Sequence, residues 1–327
     1  MAELSYRPWR DGDDLALREI WGDADYAAAG QFRTALAPEQ DAKPWRRTIV
    51  AMDQGIPVAA GVVYSTTLHP QRLWAYVEVT RDHRRAGVGA TLLTMLRREA
   101  DGALAAGLLS TTALRSKVAP GTPGAEFAQA MGLFVLQRNR VVEVRPSALN
   151  LPVFGEGTEA EAEARVQDLA TGSVELSDVV GRYYEAVNRW DPTGVLTPGM
   201  VQRMFLDELT GAHGALVLRA EAASAFGNTV AASKKGRIEA FAVSYSQGSL
   251  TPDAAESASE VFLGVEPKLE HDTAVQAVYD LLALITHQYP VLLELDDSME
   301  AVAAVVNPMI EVGAAVLRGG ETLVVGE

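Results

Sequence analysis

Between Val77 and Leu93 the chain reads Val77-Glu-Val79-Thr-Arg-Asp-His-Arg84-Arg-Ala-Gly87-Val-Gly89-Ala-Thr-Leu-Leu. A β-branched run leads into a basic turn with two glycines, and the turn opens an apolar helical pattern. Glycine lets a backbone approach a ligand with no Cβ in the way. The N–H groups of a first helical turn have no partner within the helix, and the helix dipole favours an anion in front of them. Arg84 and Arg85 add donors for charge-assisted hydrogen bonds to phosphate oxygens. The chemistry that suits the stretch Arg84, Arg85, Ala86, Gly87, Val88, Gly89 and Ala90 is the binding of a diphosphate. A dinucleotide fingerprint would need a third glycine where Leu92 stands, and a P-loop would need Gly-Lys-Ser/Thr, which is absent.

The elements that must position this turn follow from periodicity and punctuation. Residues 4–9 read as a short strand and 11–21 as a helix opened by Asp-Gly-Asp-Asp cap chemistry. Strand-like runs cover 47–52, 57–67 and 73–80, the first two joined by the Asp53-Gln54-Gly55 turn. A helix is expected over 87–101 with Leu92, Leu93 and Leu96 on its apolar face. A strand over 108–114, a short helix over 124–131 and a hairpin over 133–144, interrupted at Arg138-Asn139-Arg140, complete the first half. Residues 146–164, with Pro, Gly, Ser, Thr and a Glu-Ala-Glu-Ala-Glu run, read as a linker.

After that linker the pattern returns. Gly55-Ile-Pro-Val-Ala-Ala-Gly-Val-Val-Tyr64-Ser65 matches Gly236-Arg-Ile-Glu-Ala-Phe-Ala-Val-Ser-Tyr245-Ser246, and Gly132-Leu-Phe-Val-Leu136 matches Gly313-Ala-Ala-Val-Leu317 at the same offset. Between them, Tyr76-Val-Glu-Val79 corresponds to Phe262-Leu-Gly-Val265. Three matches in one order, two of them at the same offset, mark a tandem duplication of a domain-sized unit, with domains expected at 1–147 and 148–327.

Charge divides the two halves. Residues 1–150 carry 18 Lys and Arg against 16 Asp and Glu, whereas residues 151–327 carry 10 against 27. The acidic half is a poor partner for nucleic acid or any polyanion, so the first half is the better host for a phosphorylated ligand. The chain has no cysteine, which excludes disulfides, thiolate nucleophiles and cysteine-based zinc sites. No His, Asp and Glu cluster has metal-ligand spacing, so no metal is expected. No apolar run is long enough for a membrane span, and the first residues lack a basic-then-apolar signal pattern, so a cytoplasmic location without membrane attachment is expected.

Arg84-x-x-Gly87-x-Gly89, placed after a strand valine, resembles the acetyl-CoA signature of the GNAT superfamily of N-acetyltransferases. The surrounding order of elements and the Met131-Gly132-Leu133-Phe134 run resemble that family as well. The resemblance implies an α/β (α+β) chain of two tandem GNAT-like domains, each a mixed, mainly antiparallel twisted sheet flanked by helices. It implies transfer of an acetyl group from acetyl-CoA, as cosubstrate, to an amine. The diphosphate would lie on the N–H groups of residues 84–90 and the pantetheine along Val77 and Val79. A main-chain N–H near Val79 would hold the oxyanion of the tetrahedral intermediate.

The family's usual base position falls here at Leu73 and its usual general-acid tyrosine at Ala128, neither of which can move a proton. Glu78 and Tyr76, and then Tyr64, are the substitutes; His83 reads as solvated. Trp9, Trp21, Tyr26, Phe32 and Trp45 fall where that family forms its acceptor cleft, although packing is the ordinary role of such residues. In the second half Arg84, Gly87 and Gly89 correspond to Glu270, Thr273 and Val275, so the fold is expected to persist there without the site. The expected partners are acetyl-CoA and a small-molecule or peptide amine, with self-association left open. The alternative is an acyl-CoA-binding or sensing protein without turnover.

Overall fold

The computed structural model describes residues 4–24, 27–221, 236–246 and 258–327. In chain order the elements are β1 (Ser5–Pro8), α1 (Asp13–Trp21), α2 (Ala27–Ala35), β2 (Arg46–Asp53), β3 (Ile56–Tyr64), β4 (Leu73–Val79), α3 (Val88–Ala105), β5 (Leu114–Val118), α4 (Pro123–Ala130) and β6 (Phe134–Val144). There follow α5 (Glu159–Arg165), β7 (Val166–Leu169), α6 (Val174–Val187), α7 (Pro198–Val201), β8 (Ala212–Arg219), β9 (Ile238–Tyr245), β10 (Ser259–Val265), α8 (His271–Ile285), β11 (Val291–Asp296), α9 (Glu300–Glu311) and β12 (Ala315–Gly326). Among the described residues no helix is long and apolar enough to cross a membrane.

The chain packs as two compact units that do not divide it at a single point. The first comprises residues 1–138, 190–194 and 322–327; the second comprises 139–189 and 195–321. The division at 147/148 therefore stands as a proposal about duplicated segments, and the packed units draw on both. The first unit has strand order β1-β2-β3-β4-β5 followed by the end of β12, and the second has β6-β11-β10-β9-β8-β7. In each, the pairing is antiparallel apart from one parallel pair, β4 with β5 and β10 with β11. The strand beside β5 is residues 323–326, and the strand beside β11 is residues 139–144. Each unit thus borrows its last strand from the other half of the sequence. The repeat seen in the sequence is the repeat of these elements: β3 with β9, β4 with β10 and β6 with β12.

In the first unit β3 is buried along both faces, as a central strand covered by helices must be. Ala59 and Val63 face one core with Val88, Leu92, Leu96 and Ala100 of α3, while Ala60 and Val62 face another with Leu17 of α1 and Phe32 of α2. The buried positions of α3 recur with helical period, so a single stripe seats it on the sheet.

Four local expectations are corrected. The strand placed at 108–114 is Leu114–Val118, because α3 runs on to Ala105 and the Leu108 N–H closes it on Ala103. The interrupted hairpin at 133–144 is one continuous strand, because Asn139, a residue that could turn the chain, is instead held in the ladder opposite Asp296. The Glu-Ala run of the expected linker forms α5, because Thr158 and Glu161 make a reciprocal capping box before good helix formers. Asp13 does not cap α1: its carboxylate takes both arms of Arg7 at 2.7 Å and the Arg10 N–H at 2.7 Å, and the helix starts there after Gly12.

Leu323 and Val325 belong to the α3-side core, and the Glu327 N–H bonds the Leu114 carbonyl at 3.1 Å. Deleting residues 322–327 removes both of these side chains from that core, and with them the ladder beside β5. Thermal unfolding should show a loss of at least about 3 kcal/mol, the scale of two such side chains. An unchanged melting temperature would contradict the strand exchange.

Candidate functional site

The site begins where a parallel pair stops. β4 and β5 are in register only at Leu73–Leu114 and Trp74–Arg115, so beyond Trp74 the two strands part. The direction of the main chain in the gap follows from two hydrogen bonds. The Leu73 N–H donates to Ala113 on the β5 side at 2.8 Å, and the Thr80 N–H donates to Val58 on the β3 side at 2.9 Å. Main-chain groups alternate along a strand. Those of Ala75, Val77 and Val79 therefore face the gap, where β5 no longer answers them.

At the open end of the gap stands the basic turn. Arg85 has φ 64° and Gly87 φ 82°, and α3 begins at Val88 with Gly87 as its cap and no side chain capping it. Two left-handed residues wind successive N–H groups to one side, which makes an anion-binding concavity in front of the helix. The first i to i−4 bond of the helix runs from Thr91 to Gly87 at 3.0 Å, so the N–H groups of Val88, Gly89 and Ala90 come before it. No acidic residue lies in the first turn. Gly87 needs its left-handed φ. At Gly89 an added Cβ would meet Phe127 at 3.4 Å and Val79 at 3.6 Å, close to ordinary van der Waals contact, so packing alone does not explain that glycine.

The arginines are placed differently from the expectation that both point free charge at a ligand. The Arg84 Nε donates to the Val79 carbonyl at 2.9 Å and ties the turn back to the strand. Arg85 pairs with Glu126 of α4 at 2.6 Å, with both side chains largely exposed; such a pair is weak and can exchange its carboxylate for a phosphate. His83 is not solvated as read from the sequence: Nε2 lies 2.9 Å from Asp53 and Nδ1 3.1 Å from the Thr80 hydroxyl, so it braces the turn against the β2–β3 hairpin.

Tyr76 and Glu78 lie on the other face of β4, against α2. The Tyr76 hydroxyl donates to Glu78 at 2.6 Å, and Arg33 grips the same carboxylate through two bonds of 2.8 and 2.6 Å. Tyr76 stacks on Phe32, with ring centroids 5.1 Å apart. Arg33 also lies over Trp21 at 5.3 Å. Tyr64 stands opposite Trp74 across β3 and β4, and burial pushes its phenol up to about 12, Arg115 working against this, so it keeps its proton. Leu73 of β4 and Ala128 of α4 are both packed in the α3-side core, apolar at both positions. Of the aromatic group, Trp9, Trp21 and Phe32 share one core and Trp45 lies in the other; Tyr26 is outside the described residues.

Spacing gave no hint of a further cluster at the closed end of the gap. Arg115 lies flat on the Trp74 ring at 4.0 Å, pairs with Asp191 and reaches the Thr66 hydroxyl at 3.3 Å. Asp191 is fully buried, and Arg72 bonds it at 3.1 Å. His69 meets the Asp191 main-chain oxygen at 2.7 Å, and burial pushes the imidazole pKa down. Asp191 is 76 positions from Arg115, so no local signal could have joined them.

The second unit keeps the parting strands but not the turn. β10 and β11 pair only from Ser259–Val291 to Val261–Leu293. Glu270, which replaces Arg84, caps α8 in extended conformation (φ −60°, ψ 146°), and the first turn carries Asp272. A cleft of about 300 Å³ against α8 is lined by Arg165, Glu221, Glu239, Thr273 and Asp280, a mainly acidic set that repels a diphosphate. The ring of Tyr183 from α6 lies over Gly264, the counterpart of Glu78, and packs on Phe241 and Phe262 at 5.6 and 5.9 Å. A Cβ at Gly264 would come within 2.4 Å of Phe241 and 2.5 Å of Tyr183. The variant Gly264→Ala should lose about 1–3 kcal/mol in denaturant unfolding, the cost of overpacking a core; wild-type stability would show that Tyr183 does not fill this space.

No protein-family model matches the chain, and no curated protein matches it. Solved structures do. A GCN5-related N-acetyltransferase from Sphaerobacter thermophilus is 12% identical with TM-score 0.57, covering 99% of this chain and 95% of that one. A tandem GNAT protein from the clavulanic acid biosynthesis pathway is 14% identical with TM-score 0.50, covering 99% and 98%. A probable N-acyltransferase from Enterococcus faecalis is 9% identical with TM-score 0.51, covering 99% and 72%. At such identities the likeness concerns the fold, and over the whole length the chain has the fold of the tandem GNAT acetyltransferases.

Proposed function

We propose that the first unit transfers an acetyl group from acetyl-CoA to a primary amine. The observation that carries this reading is the parting of β4 and β5, with main chain facing the gap, directly before an uncapped turn of two left-handed residues. The diphosphate would rest on the N–H groups of Gly87, Val88, Gly89 and Ala90, with Arg84 holding the turn and Arg85 exchanging Glu126 for phosphate. The pantetheine amides would bond Val77 and Val79 as a missing strand would. In the reaction the amine lone pair attacks the thioester carbon, a C–N bond forms, the C–S bond breaks, and the CoA sulfur leaves as thiol with the proton that the amine gives up. Positioning the two reactants supplies most of the acceleration.

An amine of pKa about 10.4 is neutral in only about four molecules in ten thousand at pH 7, so a proton acceptor helps. Glu78 with Tyr76 is the available pair, and Arg33 fixes its geometry. Glu78→Gln should keep CoA affinity and lower kcat at least about a hundredfold, the lower edge of general-base contributions; an unchanged kcat removes Glu78 from the mechanism. The second reading, acyl-CoA binding without turnover, is favoured by the engagement of both Glu78 oxygens by Arg33 and Tyr76. Thiol release from acetyl-CoA across a panel of primary amines separates the two: binding without release supports the sensor.

The chain should bind one CoA per polypeptide. Replacement of Arg84 by Glu270 reverses a charge worth a few kcal/mol, about 4 at 4 Å and effective dielectric near 20. Calorimetric titration of the full chain should give a stoichiometry near one, and Gly89→Val should weaken binding at least about tenfold with the far-UV spectrum unchanged. Two saturable sites, or full affinity in the folded variant, would contradict the assignment.

A further inference from the structure

We infer that His83, held between Asp53 and Thr80, is a positioning residue that keeps the turn at residues 84–90 in the shape a diphosphate needs. The inference rests on the proposed acyl-CoA site and names the group that prepares it for the donor. Little else holds the turn. Arg81, Asp82 and residues 84–87 are exposed, and no side chain caps α3. Arg85, at φ 64°, occupies a region that residues with a Cβ rarely adopt, so local preference works against this shape. Of residues 81–87 only His83 is part-buried.

Its ring joins the turn to a different part of the sheet. A carboxylate only accepts, so Nε2 carries the proton that it donates to Asp53 at 2.9 Å. In the neutral imidazole Nδ1 then accepts from the Thr80 hydroxyl at 3.1 Å. Both partners are fixed. Asp53 ends β2 opposite Ile56 at a tight turn whose two residues, Gln54 and Gly55, are left-handed at φ 49° and 86°. Thr80 is buried, and its N–H bonds the Val58 carbonyl of β3 at 2.9 Å. Arg84, by contrast, ties the turn only to its own strand, β4.

The second unit shows that the main chain folds here without an imidazole. Leu269 stands at the position of His83, and its N–H bonds the Glu266 carbonyl at 3.1 Å, as the His83 N–H bonds Thr80 at 3.1 Å. Leu269 packs on the core of its own unit, and no left-handed residue follows it before α8. The brace and the anion-binding turn occur together in one copy, and both are missing from the other. The hydrogen bonds of His83 thus serve the shape of the site and not the formation of the short turn at 81–83.

The test uses the full chain with two probes, acetyl-CoA and S-acetylpantetheine, the second of which lacks the diphosphate. His83→Leu installs the side chain that the second unit carries. When the braced shape persists in one molecule in ten or fewer, apparent affinity falls at least about tenfold. Calorimetry should show that loss for acetyl-CoA, while S-acetylpantetheine affinity, read by ligand-observed NMR, should stay within about twofold. Asp53→Ala should give the same pattern, and the double variant should bind within about twofold of either single variant, because all three remove one interaction. Acetyl-CoA affinity within about twofold of the wild type in the folded single variants, equal losses for both probes, or multiplied losses in the double variant overturn the inference while the CoA site stands. Absence of acetyl-CoA binding in the wild type overturns the proposed site and the inference with it.

Discussion

Two parallel strands that pair for two residues and then part leave main-chain N–H and C=O groups facing an opening instead of a ladder. Such groups need partners from water or a ligand, since leaving one buried and unanswered costs about 1–3 kcal/mol. The separation of β4 from β5 after Trp74 is therefore the constraint that organises the first unit. The turn at residues 84–90 sits at the mouth of the opening, α3 covers one face, and Tyr76, Glu78 and Arg33 occupy the other. Arg84 secures the mouth through the Val79 carbonyl, and Arg115 with Asp191 secures the closed end.

A wedge in a sheet weakens it, and the fold compensates at its outer side. β5 is only five residues long and has lost most of its β4 partner, so its stability depends on the antiparallel strand beside it. That strand is residues 323–326, and the ion pair of Arg97 with Glu327 at 2.6 Å and the bond from the Leu114 N–H to the Glu327 carboxylate fasten it. The second half of the chain is thus part of the first unit's structure even where it has lost the features of a diphosphate site.

The second unit shows how a site of this kind disappears while its fold persists. The strands still part, but Gly264 admits the Tyr183 ring, and three aromatic residues fill the space with carbon. The helix that follows starts from an extended Glu270, a carboxylate where the first unit has the Arg84 guanidinium, and Asp272 adds a second negative charge in its first turn. Removal of left-handed residues takes away the backbone concavity, and reversal of charge takes away the field. Either change alone would weaken anion binding, and both are present.

The sequence by itself determined what depends on neighbours along the chain. The glycine turn, the strand before it and the helix after it were legible because φ, N–H orientation and amphipathic period are local properties. The duplication was legible because both copies kept their strand patterns, and the loss of the second turn because charge and Cβ atoms can be read one residue at a time. The capping box at Thr158 and Glu161 was equally local, yet acidic composition hid it behind the appearance of a linker. Tertiary structure alone decided what depends on distant pairing. Which strand lies beside β5, whether residues 133–144 turn back, the grip of Arg33 on Glu78 and the burial of Asp191 against Arg115 join positions 45 to 213 residues apart. Ion pairs of that kind carry no spacing rule, because a salt bridge requires only that two opposite charges meet in space, and tertiary packing decides which do.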